Sequence, residues 1–326
     1  MVQGNRQKYL RETYIARINR VIDYIESNIC SDLSLEELAD VAHFSPFHFH
    51  RIFRAMVGEP LNGFIQRVRI EKAASKLIAN PRKPITEIAF ESGFSSSSAF
   101  ARAFKLVFQM NASQWRSKQQ GKNSILDSKK CKAERNPGQD FEVNLHYNVE
   151  NNKQIWRIIM TDRKLQTNIE VKDMPERHVV YVRHIGAYQG NTELFGSLFQ
   201  KLMTWAGPRG LLNFPETKML SVYHDSPDIT DESKLRTDVC ITVPENTEVD
   251  GEIGKETIPG GKYAVGHFEI SVDQYEDAWN TIFGGWLPQS GYQCVDGPCY
   301  ELYLNDPSQH PEGKCIVDIY VPVKPL

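Results

Sequence analysis

The sequence has no long hydrophobic run and few cysteines. No stretch approaches the ~18 consecutive apolar residues that a membrane-spanning helix requires, and the first residues, MVQGNRQKYLRETY, lack the apolar core of a signal peptide. The six cysteines are scattered over 326 residues and do not form a disulfide framework. We therefore expect a cytoplasmic chain with reduced thiols and no membrane contact. The length predicts about two domains.

Motifs for metal binding and nucleophilic catalysis are also missing. Cys294 and Cys299 are too far apart for the usual zinc hairpin. His48 and His50 would diverge on a helix, because residues two apart do not share a face. No Ser-His-Asp or Cys-His set stands out. We expect no metal, no cofactor, no catalytic residues and no enzymatic activity.

Charge is unevenly distributed along the chain. Residues 1–122 carry 18 Lys and Arg against 11 Asp and Glu, whereas residues 157–326 carry 15 against 25. A basic front and an acidic back indicate two functions, and the basic part is suited to contact with a polyanion.

The basic part contains the same pattern twice. LSLEELADVAHFSPFHFHRIFR is answered by KPITEIAFESGFSSSSAFARAFK, with apolar residues at helical spacing in both copies. Each copy predicts a short helix, a tight turn and a second helix. Ser45 and Ser96 occupy the N-cap of the second helix, and Pro46 follows Ser45 as the favoured first-turn proline.

The outward residues of both second helices are candidate DNA contacts. Arg51 and Arg102 occupy equivalent places, where an arginine can pair with guanine O6 and N7. Ser97 and Ser98 lie in the first turn, where hydroxyls reach phosphates or bases, although a serine-rich start is also compatible with a merely solvated helix end. The amphipathic segment between the copies, residues 60–80, predicts a rigid helix that spaces two reading heads about one DNA turn (~34 Å) apart.

Three segments carry a family resemblance: SPFHFHRIFR, EIAFESGFSSSSAFARAFK and FQMNASQWR. They are similar to the DNA-binding domain of the AraC/XylS family of bacterial transcription regulators. Ala112 and Ser113 replace the customary proline region, and Trp115 replaces a tyrosine. The resemblance implies a monomer that reads two successive major grooves of double-stranded DNA, with RNA polymerase a further candidate partner. The expected DNA-facing residues are Phe47, His50, Arg51, Arg54, Ser97, Ser98, Ala101 and Arg102.

A polar stretch separates this region from the acidic half. Residues 119–140 have the composition of a flexible linker. After it, FEVNLHYNV, NIEVKDM and HVVYVRHIG alternate as strands do. Tyr223 recurs as Tyr303 at an offset of 80, within two repeats that we expect to read strand, helix, strand, strand.

The strand CYELYLND carries the residue with the clearest chemistry. Alternation puts Tyr300, Leu302 and Leu304 on one face, which we expect to pack under the helices, and Glu301 with Tyr303 on the other. A carboxylate among aromatic side chains attracts a cationic partner, although a Glu on a solvated face is an ordinary surface acid. The matching residue in the first repeat is Ser221, so the repeat itself does not require an acid.

The motifs GAYQG, YHDSP, YELYLNDP and VDIYVPV make this half similar to the GyrI-like effector-binding domain, also found behind an AraC-type domain in the Rob regulator. The resemblance implies two pseudo-symmetric halves around a groove for a small-molecule effector, lipophilic and often cationic, with Glu301 as its acid. Trp205 and Trp279 are expected in the core. The expected effector-binding residues are Tyr188, Tyr223, Trp286, Glu301 and Tyr303.

Together these patterns predict an α+β multidomain protein. An all-α double helix-turn-helix domain is expected over residues 10–118, a linker over 119–140, and a GyrI-like domain of two pseudo-symmetric repeats (168–244 and 252–326) over 141–326. The predicted function is a transcription regulator that binds a lipophilic cationic effector, in a multidrug or toxin response. Two alternatives stay open: a hydrolase in which Glu301 and Tyr303 form an acid–base pair, and a protein-binding adaptor.

Overall fold

The chain divides into two compact units. The computed structural model describes residues 2–119, 141–148, 153–160, 167–226 and 230–326. Residues 13–119 and the strands within 141–160 form one unit, and residues 2–12 and 167–326 belong to the other. Most of the predicted linker, residues 120–140, lies outside the described residues, and the predicted domain boundaries stay predictions.

Helices dominate the first part of the described chain. They are α1 (Val2–Ser27), α2 (Leu35–Ala42), α3 (Pro46–Val57), α4 (Leu61–Ala79), α5 (Ile85–Phe90), α6 (Ser97–Phe108) and α7 (Ala112–Gln119). Strands β1 (Phe141–Asn148) and β2 (Lys153–Met160) form an antiparallel pair. The double helix-turn-helix is confirmed: α2 with α3 is the first copy, α5 with α6 is the second, and α4 is the predicted rod between them.

The turns of the two copies use equivalent left-handed residues. His43 closes the first turn at φ 54° and Gly93 the second at φ 85°. Glycine is required at the second position, because a Cβ on Gly93 would lie 2.4 Å from the carbonyl oxygen of Ile29.

Both predicted N-caps are confirmed, but they differ in chemistry. Ser96 accepts a hydrogen bond from the backbone N–H of Ala99 at 3.2 Å. Ser45 takes the cap position before Pro46 without a side-chain cap bond. Of the two second helices, α3 and α6, only α6 therefore gains a capping hydrogen bond from its N-cap serine.

Aromatic residues on the second helix of each copy form the cores. Phe53 meets Phe64 of α4 edge-on, with ring centroids 5.5 Å apart. In the second copy Phe104 meets Trp115 of α7 at 6.2 Å. The predicted apolar stripes are thus buried, which leaves the opposite side of each second helix for other contacts.

A curled antiparallel sheet with helices on one face forms the second unit. Its elements are β3 (Ile169–Met174), β4 (Arg177–Ile185), α8 (Thr192–Ala206), β5 (Met219–Tyr223), β6 (Arg236–Thr242), β7 (Gly254–Ile258), β8 (Gly261–Ile270), α9 (Tyr275–Asn280), a π-helical segment (Thr281–Trp286), α10 (Leu287–Ser290), β9 (Tyr292–Cys294), β10 (Cys299–Tyr303) and β11 (Cys315–Pro325). The predicted repeats are confirmed, and each half has one more strand in front, β3 or β7.

The strand order is symmetrical about its centre. It runs β3-β8-β11-β10-β5-β6-β4-β7. The repeat-equivalent strands are β3 and β7, β8 and β4, β11 and β6, and β10 and β5, so each strand lies as far from the centre of the sheet as its counterpart. A pseudo-twofold axis therefore passes between β5 and β10. On these strands Ser221 lies opposite Glu301, and the same two residues match at the repeat offset of 80. A pair that is both cross-strand and repeat-equivalent must lie on the axis.

The prediction that Tyr300 and Leu302 pack under the helices is wrong. Both belong to a core with Leu220 and with Tyr263 of β8 on the helix-free face, where Tyr300 stacks on Tyr320 at 4.5 Å. The sheet curls enough to bury this face against itself. Alternation determines only that the side chains of Glu301 and Tyr300 lie on different faces of the sheet. The curvature of the sheet decides which of these faces carries the helices.

The described cysteines and helices fit two further expectations. All five cysteines in the described residues are free thiols. None of the described helices combines the length and the apolar composition needed to cross a bilayer.

Candidate effector site and DNA-facing surface

Glu301 is buried on the helix-bearing face of the sheet, with 2% of the residue exposed. Its Oε1 accepts the indole N–H of Trp279 at 2.8 Å. Its Oε2 accepts the hydroxyls of Tyr223 at 2.8 Å and of Tyr303 at 3.1 Å. These three donors are neutral, so they stabilise the carboxylate through dipoles, in aromatic surroundings.

The two phenols stay protonated and able to donate. Burial, followed by the negative charge of Glu301, raises the pKa of Tyr223 and of Tyr303 well above the usual value. The Tyr303 hydroxyl also lies 3.0 Å from Oγ of the fully buried Ser221. It therefore bridges the two residues on the pseudo-twofold axis.

The aromatic rings around Glu301 repeat the symmetry of the sheet. Trp279 of α9 stands edge-on to Tyr223, with centroids 6.2 Å apart and planes at 87°. Phe199 of α8 stands edge-on to Tyr303, at 5.7 Å and 84°. At the offset of 80, Phe199 corresponds to Trp279 and Tyr223 to Tyr303. The rings form a near-symmetric shell, in which Phe199 lacks the N–H that Trp279 donates.

Trp279 and Tyr275 lie near Glu301, although the sequence patterns did not assign either residue to the effector site. Trp279 was expected in the core, because its spacing with Tyr275 and Phe283 looks like an ordinary apolar stripe; the structure instead makes it a donor to Glu301. Tyr275 lies close enough that burial, then Tyr303 and Glu301, raises its pKa.

The predicted aromatic walls come together only in part. Tyr188 lies 5.4 Å from Tyr223, so it extends the shell beside Glu301. Trp286 instead stacks on Tyr292 at 6.2 Å. The contacts described for Trp286 do not bring it to the carboxylate.

An ion-pair network lies on the helix-free face. Arg183 donates to both carboxylate oxygens of Asp238, at 2.7 and 2.6 Å, and His224 Nε2 lies 2.6 Å from Oδ2. Burial alone would raise the pKa of Asp238, but the hydrogen bonds from Arg183 and His224 outweigh it and lower this pKa. With Glu256 the cluster offers three potential metal ligands within 4.8 Å. The Arg183 guanidinium already pairs with Asp238 and would repel a metal cation, so the network is better explained as structural.

The DNA-facing candidates on α6 are all exposed. Ser97, Ser98, Ala101 and Arg102 each present their side chains to solvent. Ser98 Oγ lies 3.2 Å from Oγ of the capping Ser96. This side of α6 is free of the core formed by its aromatic stripe.

The equivalent side of α3 is more covered. Phe47 is 37% exposed, whereas Arg51 and Arg54 are half-buried. His50 is only 6% exposed, and burial, then the charges of Arg51 and His48, lowers its pKa to about 3. Strand β1 lies beside α3 in the same unit. An outward-facing His50 does not fit this structure, whereas the DNA contacts of both helices stay predictions.

Both regions match known families. Residues 38–118 match a helix-turn-helix domain, and residues 167–324 match the GyrI-like small molecule binding domain. DNA gyrase inhibitor 2 of Dickeya dadantii is 36% identical over 155 residues, which are 46% of this chain and 92% of that protein. The DNA gyrase inhibitor of Escherichia coli is 32% identical over 164 residues, 48% of this chain and 98% of that protein.

Similar solved structures each cover about half of this chain or less. The EcmrR C-terminal domain has a TM-score of 0.42 at 20% identity, over 50% of this chain and 100% of that one. In the cryo-EM structure of an EcmrR–DNA complex, the TM-score is 0.43 at 18% identity, over 51% of this chain and 60% of that one. The DNA-binding domain of AdpA, solved with a target DNA, has a TM-score of 0.30 at 21% identity, over 32% and 95%.

The class of protein follows from the two domains: a DNA-binding regulator of transcription that carries a small-molecule-binding domain. The chain belongs to the GyrI-like family, with an AraC-type helix-turn-helix domain in front.

Proposed function

We propose that this regulator senses a small lipophilic organic cation at Glu301. The observation that carries the proposal is a carboxylate that is 2% exposed and receives its described hydrogen bonds from two phenols and an indole. A buried carboxylate favours a positively charged partner. Aromatic faces attract the same charge, by about 0.5–2 kcal/mol for each well-placed ring.

The rings around the acid also favour an apolar, flat ligand. Phe195, Phe199 and Trp279 are half-buried, so their remaining exposed surface is available to stack on a ligand. Aromatic pairs contribute about 0.5–1.5 kcal/mol beyond the area that they bury. A small hydrated cation would gain none of this, which argues for an organic cation.

A sensing role is favoured over hydrolysis. A general acid or base works best when its pKa lies near the working pH. The pKa of Tyr303 is raised far above that range by burial and by Glu301. The phenol therefore suits hydrogen bonding to a carboxylate better than proton transfer.

On the DNA side, α3 and α6 would enter successive major grooves, with Arg51 and Arg102 as equivalent base contacts. Effector binding would change DNA affinity or contact with RNA polymerase. Such coupling requires that the effector bind two conformations of the protein with different affinity.

Calorimetric titration of the full chain tests the effector proposal. The probes are N-methyl-phenylpyridinium and biphenyl, which share two rings and differ in charge. We expect the cation to bind wild type and the Glu248→Gln control, whose substitution is at an exposed site, and binding to be lost in Glu301→Gln. Equal binding of the cation by Glu301→Gln, or equal binding of biphenyl by wild type, would contradict cation sensing.

A protein partner is the second candidate. Two relatives that match 46% and 48% of this chain are named DNA gyrase inhibitors, so gyrase is the partner to test. Inhibition of gyrase supercoiling by the full chain, without affinity for the cation, would support the adaptor. Unchanged supercoiling together with cation binding would support the sensor.

A further inference from the structure

We infer that Ser221 sets the number of positive charges that the site accepts, and that the wild-type site selects a monocation over a dication. The inference rests on the proposed cation binding at Glu301. It concerns the residue directly across the pseudo-twofold axis, which has no charge of its own.

The position of Ser221 gives it access to the same surroundings as Glu301. The two residues are paired across β5 and β10, so their side chains share one face of the sheet. The Tyr303 hydroxyl lies 3.0 Å from Ser221 Oγ and 3.1 Å from Glu301 Oε2. A longer side chain at 221 would therefore extend into the shell that holds Glu301.

The shell of aromatic rings around Glu301 is nearly symmetric, so it would surround an acid at position 221 in almost the same way as it surrounds the acid at position 301. The edge-on contacts Trp279–Tyr223 and Phe199–Tyr303 are symmetry equivalents, at 6.2 and 5.7 Å. One difference remains, because Phe199 cannot donate the hydrogen bond that Trp279 gives to Glu301. The serine on the axis thus limits the site to one carboxylate although the rings would surround two.

The charge consequence is direct. With Ser221 the axis carries one carboxyl group, that of Glu301, and one positive charge on a ligand would balance its ionised form. Two carboxylates on adjacent strands would repel each other, and one would take up a proton unless a second positive charge lay between them. A glutamate at 221 should therefore shift the preference of the site towards dications.

The test compares N-methyl-phenylpyridinium with methyl viologen, a two-ring dication of similar size, by titration of the full chain. We expect wild type to bind the monocation at least about tenfold more tightly. Ser221→Glu should reduce or reverse this ratio, whereas Ser221→Gln, similar in size but neutral, should retain it. An unchanged ratio in Ser221→Glu would overturn the inference.

An exchange variant tests the symmetry that underlies the argument. Ser221→Glu with Glu301→Ser keeps one carboxylate, and we expect it to retain the monocation preference with lower affinity. Adding Phe199→Trp supplies the missing indole donor, which favours the ionised acid, and should raise the affinity. A folded exchange variant that binds neither cation, shown by thermal unfolding like that of wild type, would overturn the inference.

The outcomes separate this inference from the function on which it rests. If Glu301→Gln binds the monocation as wild type does, cation sensing at Glu301 fails. If Glu301→Gln loses binding while Ser221→Glu keeps the wild-type ratio, only the role of Ser221 fails. If the exchange variant does not fold, the ratio in Ser221→Glu alone decides.

Discussion

The indole nitrogen of Trp279 lies 2.8 Å from Oε1 of Glu301, and its ring stands edge-on to Tyr223, which donates to the other oxygen of the same carboxylate. One side chain of α9 therefore orients both the acid and one of its donors. We expect this contact to contribute to the stability of the second unit, because a charge-assisted hydrogen bond to a buried carboxylate is stronger than a neutral one.

Replacing Trp279 by Phe keeps an aromatic ring and removes the donor. We expect the free energy of unfolding to fall by about 1.5–3 kcal/mol, the range for hydrogen bonds to charged groups. Trp205→Phe is the matched control, because its indole donates to the exposed Asp250 and exposed pairs contribute about 1 kcal/mol or less. Urea unfolding of both variants measures the difference, and equal losses would contradict a special role for Trp279.

If Arg51 and Arg102 each make the proposed bidentate contact with guanine, Arg51→Ala and Arg102→Ala should each weaken site-specific DNA binding by about 1–3 kcal/mol. Nonspecific binding should change little. Selection from random DNA would identify the specific binding site. Mobility-shift titrations at several salt concentrations would then measure the specific and nonspecific DNA affinities. Arg82→Ala is the control, because Arg82 is exposed and lies before α5. A parallel fall in specific and nonspecific binding would make the arginines phosphate contacts.

Ser96→Ala removes the side chain that caps α6 and should lower the free energy of unfolding by about 0.5–2 kcal/mol. Ser45→Ala should lower the free energy of unfolding by less than Ser96→Ala does through loss of a cap, because Ser45 makes no side-chain cap bond at α3. Exposed Ser97 provides the control, since Ser97→Ala removes a hydroxyl from the same turn without removing the cap. Urea unfolding that ranks Ser97→Ala with Ser96→Ala would contradict the capping role.

His50 should make stability depend on pH in the acidic range. Its pKa is about 3 in the folded protein, below the ordinary 6.5, so the unfolded chain takes up the proton first. The contribution is complete above pH 6.5 and is lost as pH falls towards 3. His50→Gln should flatten the slope of unfolding free energy over this window.

The control for this titration is His43→Asn. His43 is exposed and left-handed at the end of α2, and asparagine tolerates that conformation. We expect the control to keep the wild-type slope when unfolding is measured in a series of buffers. An equal slope in wild type and His50→Gln would show that His50 does not remain neutral in the fold.

The two helix-turn-helix copies were predictable because their signals are local. Helical spacing of Phe100 and Phe104, the cap at Ser96 and the tight turn before it each act within a few residues, and the duplicate pattern repeats them. Burial of His50 was not predictable, because the helical spacing of one short segment does not show which distant parts of the chain pack around α3; strand β1 lies beside this helix.

The effector site shows the same division. The strand CYELYLND singled out Glu301, the repeat offset identified its counterpart Ser221, and alternation placed Glu301 and Tyr300 on opposite faces of the strand. The contact between Trp279 and Glu301 could not be predicted from the sequence, since an apolar stripe in the core and one that lines a site have the same helical spacing. The face of the sheet that carries the helices could not be predicted either.

By itself the sequence determined the two classes of domain and the internal repeats, because periodicity and duplication are properties of the chain. Only the tertiary structure decided that Ser221 and Glu301 meet on one axis, and that Trp279, Tyr223 and Tyr303 converge on a single carboxylate. The physical reason is that the pairing of β5 with β10 and the curl of the sheet join residues about 80 positions apart, and no local pattern encodes that distance.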